Sequence, residues 1–342
     1  MRKQTKTPGI KRDVKQVKKT KYPNGCKHRV RNWREYNASL VRRGSITVWI
    51  SQQALANWKP KVDGPRRRGG QTQYSDDAVT CMLTLRAVMN LPLRQTEGFG
   101  QSLLDVLGTE VKGPDYTTLC KRGKDVEVNL GVSQSDEPLH ILVDSTGLKV
   151  YGEGEWKVRK HGYSKRRTWR KLHLSVNATT QEIEAVELTE VGDDDAGTGS
   201  QMLDDISKPI GSVRGDGGYD KRKFYQTCAK RQISEAIIPP QRNARIWQHG
   251  NSAKPPLLRD QNLRCIRRVG RKRWKTELGY ACINVDHRRS LVETAVFRIK
   301  TLFGGQLRAR TFDRQRVEAR IKCKALNMMT RLGLPDSYPV AA

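Results

Sequence analysis

Asp144 closes the apolar run His140-Ile-Leu-Val-Asp144 and is followed by Ser145-Thr-Gly147, which puts one carboxylate at the end of a buried strand. A second run, Ile210-Gly-Ser-Val-Arg-Gly215, delivers Asp216 into the turn Gly217-Gly218. A third acid, Glu293, stands in His287-Arg-Arg-Ser-Leu-Val-Glu293, a stretch that continues with helical period to Lys300. Acids so far apart in sequence meet only through the fold. Carboxylates held together repel one another, and the repulsion is relieved by a proton or by a hard divalent cation with oxygen ligands. Metal-assisted displacement at phosphorus is the chemistry that such a group suits.

Arg289, Glu293 and Lys300 are spaced so that, at about 100° per residue, they fall within an arc of roughly 40° on one helix. Val292, Val296, Ile299 and Phe303 make an apolar stripe beside them, so the helix can bury one face while its flank carries a carboxylate between two cations. An ordinary surface ion pair would give the same spacing. The coincidence with Asp144 and Asp216 at strand ends favours the chemical reading. Among competing acids, Asp193-Asp-Asp195 reads as a helix start favoured by the dipole and Asp204-Asp205 as a solvated pair, while Asp220 follows Asp216 closely. His161 and His173 lie in a basic stretch with Trp156, Tyr163 and Trp169, which reads as a DNA-contacting hairpin rather than a metal site.

The charge balance points the same way. The chain has 342 residues with Lys+Arg 65 against Asp+Glu 35, a formal net charge of +30. A surplus of that size implies a polyanionic partner, because each neutralised phosphate releases condensed counterions. The length excludes the smallest basic scaffold proteins and allows two or three domains with a sizeable core. Seven cysteines without a C-x-x-C pair read as reduced structural thiols. With no long apolar run and no signal-peptide pattern, the expectation is a soluble intracellular protein with no membrane partner.

The elements that must position these residues follow in order. Residues 1–31 read as a disordered basic arm, since residues 1–43 hold fifteen Lys/Arg and two acids. Residues 32–130 read as a helical DNA-binding region. It includes a basic linker with Arg66, Arg67 and Arg68, a helix from a Ser75 cap, a second ending at Gly108, and a third that starts near Asp115 and carries Lys121 and Arg122. Three short helices with a basic last one fit a helix-turn-helix arrangement. Residues 136–335 change to strands: 141–143, 171–176 and 182–188, the last two joined by a turn at 177–180, then a helix near 200–206, the Asp216 strand, a helix at 221–230 and a strand at 234–238. A hairpin first and βαβ afterwards is the order of an RNase H-like mixed β-sheet flanked by helices, an α/β fold. Residues 239–286 read as an inserted basic segment.

Asp144-Ser-Thr-Gly-Leu-Lys149, Gly215-Asp216-Gly-Gly-Tyr-Asp220 and His287 through Lys300 resemble the DDE transposases of bacterial insertion-sequence family five. The resemblance extends to Leu91-Pro-Leu-Arg-Gln-Thr-Glu-Gly-Phe99 and Pro114-Asp-Tyr-Thr-Thr-Leu119, and so covers about residues 30–335. It implies that Asp144, Asp216 and Glu293 bind two Mg²⁺ ions, with Mn²⁺ as a substitute, and that Arg289 and Lys300 are the Arg and Lys of a Y-R-E-K signature. It also implies an enzyme of the bacterial cytoplasm and nucleoid that binds the terminal inverted repeats of an element, hydrolyses phosphodiesters to free 3′ hydroxyls and joins these to target double-stranded DNA, as a homodimer or higher oligomer. Arg66, Arg67, Arg68, Lys121, Arg122, Lys165, Arg166 and Arg167 are the expected DNA contacts. The chain departs from the family at one point: Asp286 stands where the signature has Tyr, and residues 281–286 look inserted after Tyr280. An RNase H-like nuclease without strand transfer, or a DNA-binding derivative with an impaired site, are the alternatives.

Overall fold

A computed structural model of the chain describes residues 26–60, 71–134, 137–150, 169–249, 256–277 and 288–341. Its first part is helical apart from β1 (Cys26–Val30), and runs through α1 (Trp33–Arg42), α2 (Ile46–Trp49), α3 (Gln52–Ala56), α4 (Asp76–Val88), α5 (Leu93–Val106) and α6 (Tyr116–Arg122). Ser75 starts α4 by accepting a hydrogen bond from the Ala78 amide at 3.1 Å, with Asp76 and Asp77 in the first turn where the helix dipole favours them. Every residue from Ala78 to Leu85 is buried, so α4 is enclosed on all sides rather than amphipathic. Asp115 caps α6 by accepting from the amides of Thr117 and Thr118, at 2.7 and 2.9 Å. Those bonds, the Thr117 hydroxyl first among them, hold its carboxyl down to about 2.

The following β-region builds one sheet from β2 (Leu139–Val150), β3 (Trp169–Asn177) and β4 (Ile183–Glu190). After α7 (Asp195–Asp205) come β5 (Ile210–Arg214), α8 (Arg222–Lys230) and β6 (Glu235–Ile237). The strand order is β4-β3-β2-β5-β6, with β2, β3 and β4 antiparallel and β5 and β6 parallel to β2. This is the RNase H-like mixed sheet that the order of sequence patterns implies. Alternation along β2 sends Ile141 and Val143 into a core shared with α7 and α8, and Leu142 and Leu148 into a core on the other face. That second face is covered by α11 (Arg288–Phe303) and, after β7 (Gln306–Leu307), by α12 (Phe312–Leu332).

The last helix joins the two halves. Val317, Ile321, Ala325 and Met329, each four residues apart, pack into the core of α4, whereas Ala319, Cys323 and Leu326 pack against the sheet. Buried Asn327 ties α12 to the edge of β4 by accepting from the Ile183 amide at 2.8 Å and donating to the Ile183 carbonyl at 3.0 Å. The helical region and the sheet therefore share one helix, since α12 contributes Val317, Ile321, Ala325 and Met329 to the core of the former. The chain ends pair as well: β1 runs antiparallel to β8 (Ser337–Ala341), so residues 26–30 belong to the fold and not to the basic arm that the sequence alone extends to 31. Residues 1–25 of that arm lie outside the described residues. No described helix is long and apolar enough to cross a membrane.

The basic segment after β6 is also folded over the stretch that is described, as α9 (Leu258–Val269) and α10 (Arg271–Glu277). Its anchor is a buried ion pair: Arg259 Nε lies 2.7 Å from Asp220 Oδ1, with the two side chains 5% and 3% exposed. The guanidinium also sits 3.7 Å from the Trp247 ring centroid and donates to the Arg245 carbonyl at 2.8 Å. Asp220 is thus spent on structure. Removing one partner of such a pair strands a buried charge, which costs about 3–5 kcal/mol. Asp220→Asn should lower the stability by that order in chemical denaturation, while Asp220→Leu with Arg259→Met should recover most of the loss. A single substitution without effect would mean that the segment is held by something else.

Candidate active site

The two strand acids are placed by register. β2 and β5 run parallel with Leu142 paired to Arg214, so Asp144 and Asp216 stand at matching positions two residues further along. On this edge of β2, β5 pairing stops at Leu142, and the next described partner is β7 at Lys149 and Val150. Asp144 lies in that opening, at the carboxyl end of the parallel pair where α/β sheets bind ligands. The Ser145 amide donates to Asp144 Oδ1 at 2.9 Å, and the Gly218 amide donates to Asp216 Oδ1 at 2.9 Å. The second bond makes Asp216 the cap of a short 3₁₀ turn over Gly217–Tyr219.

Glu293 is brought in by α11. Val292, Ala295 and Ile299 are buried against Leu142 and Leu148 of β2, which leaves Glu293 exposed on the flank of the same helix. Asp144 has the same alternation parity as Leu142 and Leu148 and so belongs to the α11 face of the sheet. Lys300 fixes the docking: its Nζ donates to Thr146 Oγ1 at 2.6 Å, two residues past Asp144. The Arg289 side chain lies outside the described set.

The opposite face adds an acid that the sequence reading set aside. Asp194 is the cap of α7 and accepts from the Gly197 amide at 2.9 Å, as a helix start should. Its neighbour Asp195 turns towards the strand acids: a Cβ on Gly218 would lie 3.0 Å from Asp216 Oδ1 and 3.8 Å from Asp195 Oδ2. Tyr219 is packed beside them, 1% exposed. Burial raises its phenol pKa, and the charges of Asp195, Asp144 and Asp216 raise it further. His173 is fully buried and bonded to Thr189 Oγ1 at 2.8 Å, so it is a sheet-interior residue rather than part of a DNA-contacting surface. Burial pushes its imidazole down to about 4, with Asp195 opposing the shift.

The other expected positions divide. Lys121 is exposed at the end of α6, and half-exposed Arg122 is engaged within the fold, donating to the Tyr74 carbonyl at 3.0 Å and pairing with Asp76. Arg66, Arg67, Arg68, Lys165, Arg166 and Arg167 and the 281–286 segment lie outside the described residues. Asp204 pairs with Lys230 at 3.1 Å on the surface. Among the described residues no three His, Cys, Asp or Glu side chains converge tightly enough to hold a metal ion as they stand. A cavity of about 350 Å³ lined by Leu83, Arg86, Leu119, Arg310, Arg314 and Ile321 lies between α4 and α12, apart from the acids.

The turn that carries Asp216 depends on two small residues. A Cβ on Gly199 would meet Tyr219 Cε1 at 2.7 Å and Phe224 Cε2 at 3.0 Å, and one on Gly215 would meet Val143 Cγ2 at 2.8 Å. Gly199→Ala should therefore overpack the Tyr219 socket and cost about 1–3 kcal/mol in urea denaturation. An unchanged midpoint would show that the ring shifts freely and does not fix the turn.

A family model described as a transposase DDE domain matches residues 135–328, and a second with the same description matches residues 41–153. Among solved structures, the chain is similar at 10% identity to the piggyBac transposase in a synaptic complex with hairpin DNA, with a TM-score of 0.39, 85% of this chain and 73% of that one covered. It is similar at 12% identity to the Drosophila P element transposase in a strand transfer complex, with a TM-score of 0.28 and coverages of 79% and 64%. A simian T-cell lymphotropic virus intasome is matched at 10% identity, with a TM-score of 0.24 and coverages of 68% and 75%. The first family match spans more than half of the sequence and includes both strand acids and Glu293, and on that match the chain belongs to the transposase DDE domain family.

Proposed function

We propose that this transposase belongs to bacterial insertion-sequence family five, binds the terminal repeats of its element, hydrolyses phosphodiesters to free 3′ hydroxyls and joins them to target DNA. The observation that carries the reading is the parallel register of β2 and β5, which brings Asp144 and Asp216, just past the end of β5, to matching positions, with Glu293 on a helix laid over β2. The donors fit a hard divalent cation. All are carboxylates, and Asp195 Oδ2 lies beside Gly218, whose amide holds Asp216 Oδ1. Mg²⁺ keeps several of its waters and needs only one or two direct carboxylates, so acids that gather without forming a closed cage suffice.

Two Mg²⁺ ions, or Mn²⁺ in their place, would supply neutralisation of the phosphate and activation of the attacking oxygen. The chain's own part is positioning. Asp144 and Asp216 are held by the sheet and by the amides of Ser145 and Gly218, and Glu293 by the buried stripe of α11. Lys300, anchored at Thr146, and Arg289, one turn before Glu293, bring positive charge to a bound phosphate backbone. Basic residues of the arm, of the linker at 66–68 and of the 165–167 stretch hold the duplex through its phosphates, and cutting two ends together calls for a homodimer or higher oligomer.

Asp144→Asn, Asp216→Asn and Glu293→Gln should each abolish nicking and strand transfer on element-end DNA in Mg²⁺ while leaving affinity for that DNA within a few-fold. Binding lost as severely as cleavage in all three would contradict the separation of charge for chemistry from charge for affinity. Nicking without joining by the native chain would identify a nuclease, and neither activity would identify a silent DNA-binding derivative.

A further inference from the structure

We propose that Asp195 is a fourth carboxylate of the cation site, supplied from the face of the sheet opposite to Glu293 and propped by His173. This rests on the reading of Asp144 and Asp216 as cation ligands.

Four observations place it. Asp195 Oδ2 lies beside Gly218, on whose amide Asp216 Oδ1 closes, so the two carboxylates flank one glycine that has no side chain to separate them. The other oxygen, Oδ1, is buried and ion-paired with Lys171 at 3.2 Å, with no formed hydrogen bond among the described residues. His173 faces it: its side chain is 0% exposed, Nε2 is taken by Thr189, and Nδ1 stands 3.5 Å from Asp195 Oδ1, also without a hydrogen-bond partner there. The Tyr219 hydroxyl, at a residue 1% exposed among these acids, likewise has none.

Fully buried polar groups without hydrogen bonds are uncommon, because each forfeits its hydration. Here they converge on one carboxylate. An ordinary helix-start aspartate does not need them, and Asp194 already performs the capping of α7. Lys171, at 3.2 Å from Asp195 Oδ1, offsets part of the charge and leaves Oδ2 on the Gly218 side. With α7 on one face and α11 on the other, a cation at the strand ends meets acids from both. An imidazole packed 3.5 Å behind a ligand carboxylate belongs to its outer shell, where substitutions commonly lower metal affinity.

The test is Mn²⁺ binding to the full chain, followed by electron paramagnetic resonance, with folding checked by circular dichroism. Asp195→Asn should weaken Mn²⁺ binding 10- to 100-fold, Asp195→Glu should restore part of it, and His173→Gln should weaken it less than Asp195→Asn does. Asp204→Asn, which removes a charge at the far end of the same helix, should leave it unchanged. Native-like affinity in both Asp195→Asn and His173→Gln, with Asp216→Asn still defective, would overturn the fourth carboxylate and leave the main site intact. Affinity equal to native in Asp144→Asn and Asp216→Asn would overturn the underlying reading, and this inference with it. Should Asp195→Asn fail to fold, Asp195→Glu and His173→Gln decide the matter.

Discussion

Carboxylates gathered at one end of a sheet repel one another, and the rest of this structure exists to hold them there. At an effective dielectric of about 20, two unit charges 4 Å apart cost about 4 kcal/mol. The amides of Ser145 and Gly218 offset part of that, and packing imposes the positions. β2 does most of this: one face is buried against α7 and α8, the other against α11 and α12, and Asp144 cannot move without disturbing both cores. Gly215, Gly218 and the Tyr219 plug then fix Asp216 at the matching height just past the end of β5.

The same constraint explains where the sheet opens. Pairing between β2 and β5 ends at Leu142, and β7 takes up the edge only at Lys149. A continuous ladder would fill the space beside Asp144 with backbone. Among the described residues no strand fills that space, where the proposed reaction would place phosphate and cation. Lys300 closes the far end of the arrangement through Thr146, which ties the helix that carries Glu293 to the strand that carries Asp144.

Much of this was legible in the residues. Asp144 and Asp216 end apolar runs, and the Arg289, Glu293 and Lys300 stripe has helical period, so local pattern alone puts the first two at strand ends and the other three on one helix. The part that escaped depends on contacts between distant segments. Asp195 sits in a run of three acids beside a proper helix cap, and Asp194 satisfies the helix rule so well that its neighbour looked superfluous. His173 looked basic and exposed because Lys171 and Trp169 precede it, yet alternation along β3 turns it inward against Thr189. The pairing of residues 26–30 with residues 337–341 spans nearly the whole chain, and no local signal in a basic arm announces it. Likewise the double-faced burial of α12 joins regions that composition divides. Asp220 could be separated from Asp216 only by its partner, Arg259, in a segment whose basic, Pro-rich composition suggested no buried ion pair.

The central claim is that acids from β2, β5 and α11 share one cation site. Replacing Mg²⁺ by Fe²⁺ in the full chain and generating hydroxyl radicals from the bound iron would cut the backbone wherever it approaches the metal. The account predicts cuts close to residues 144, 216 and 293, all of which disappear together in Asp216→Asn. Cuts near the two strand acids without any at α11, or cuts that persist unchanged in Asp216→Asn, would contradict it.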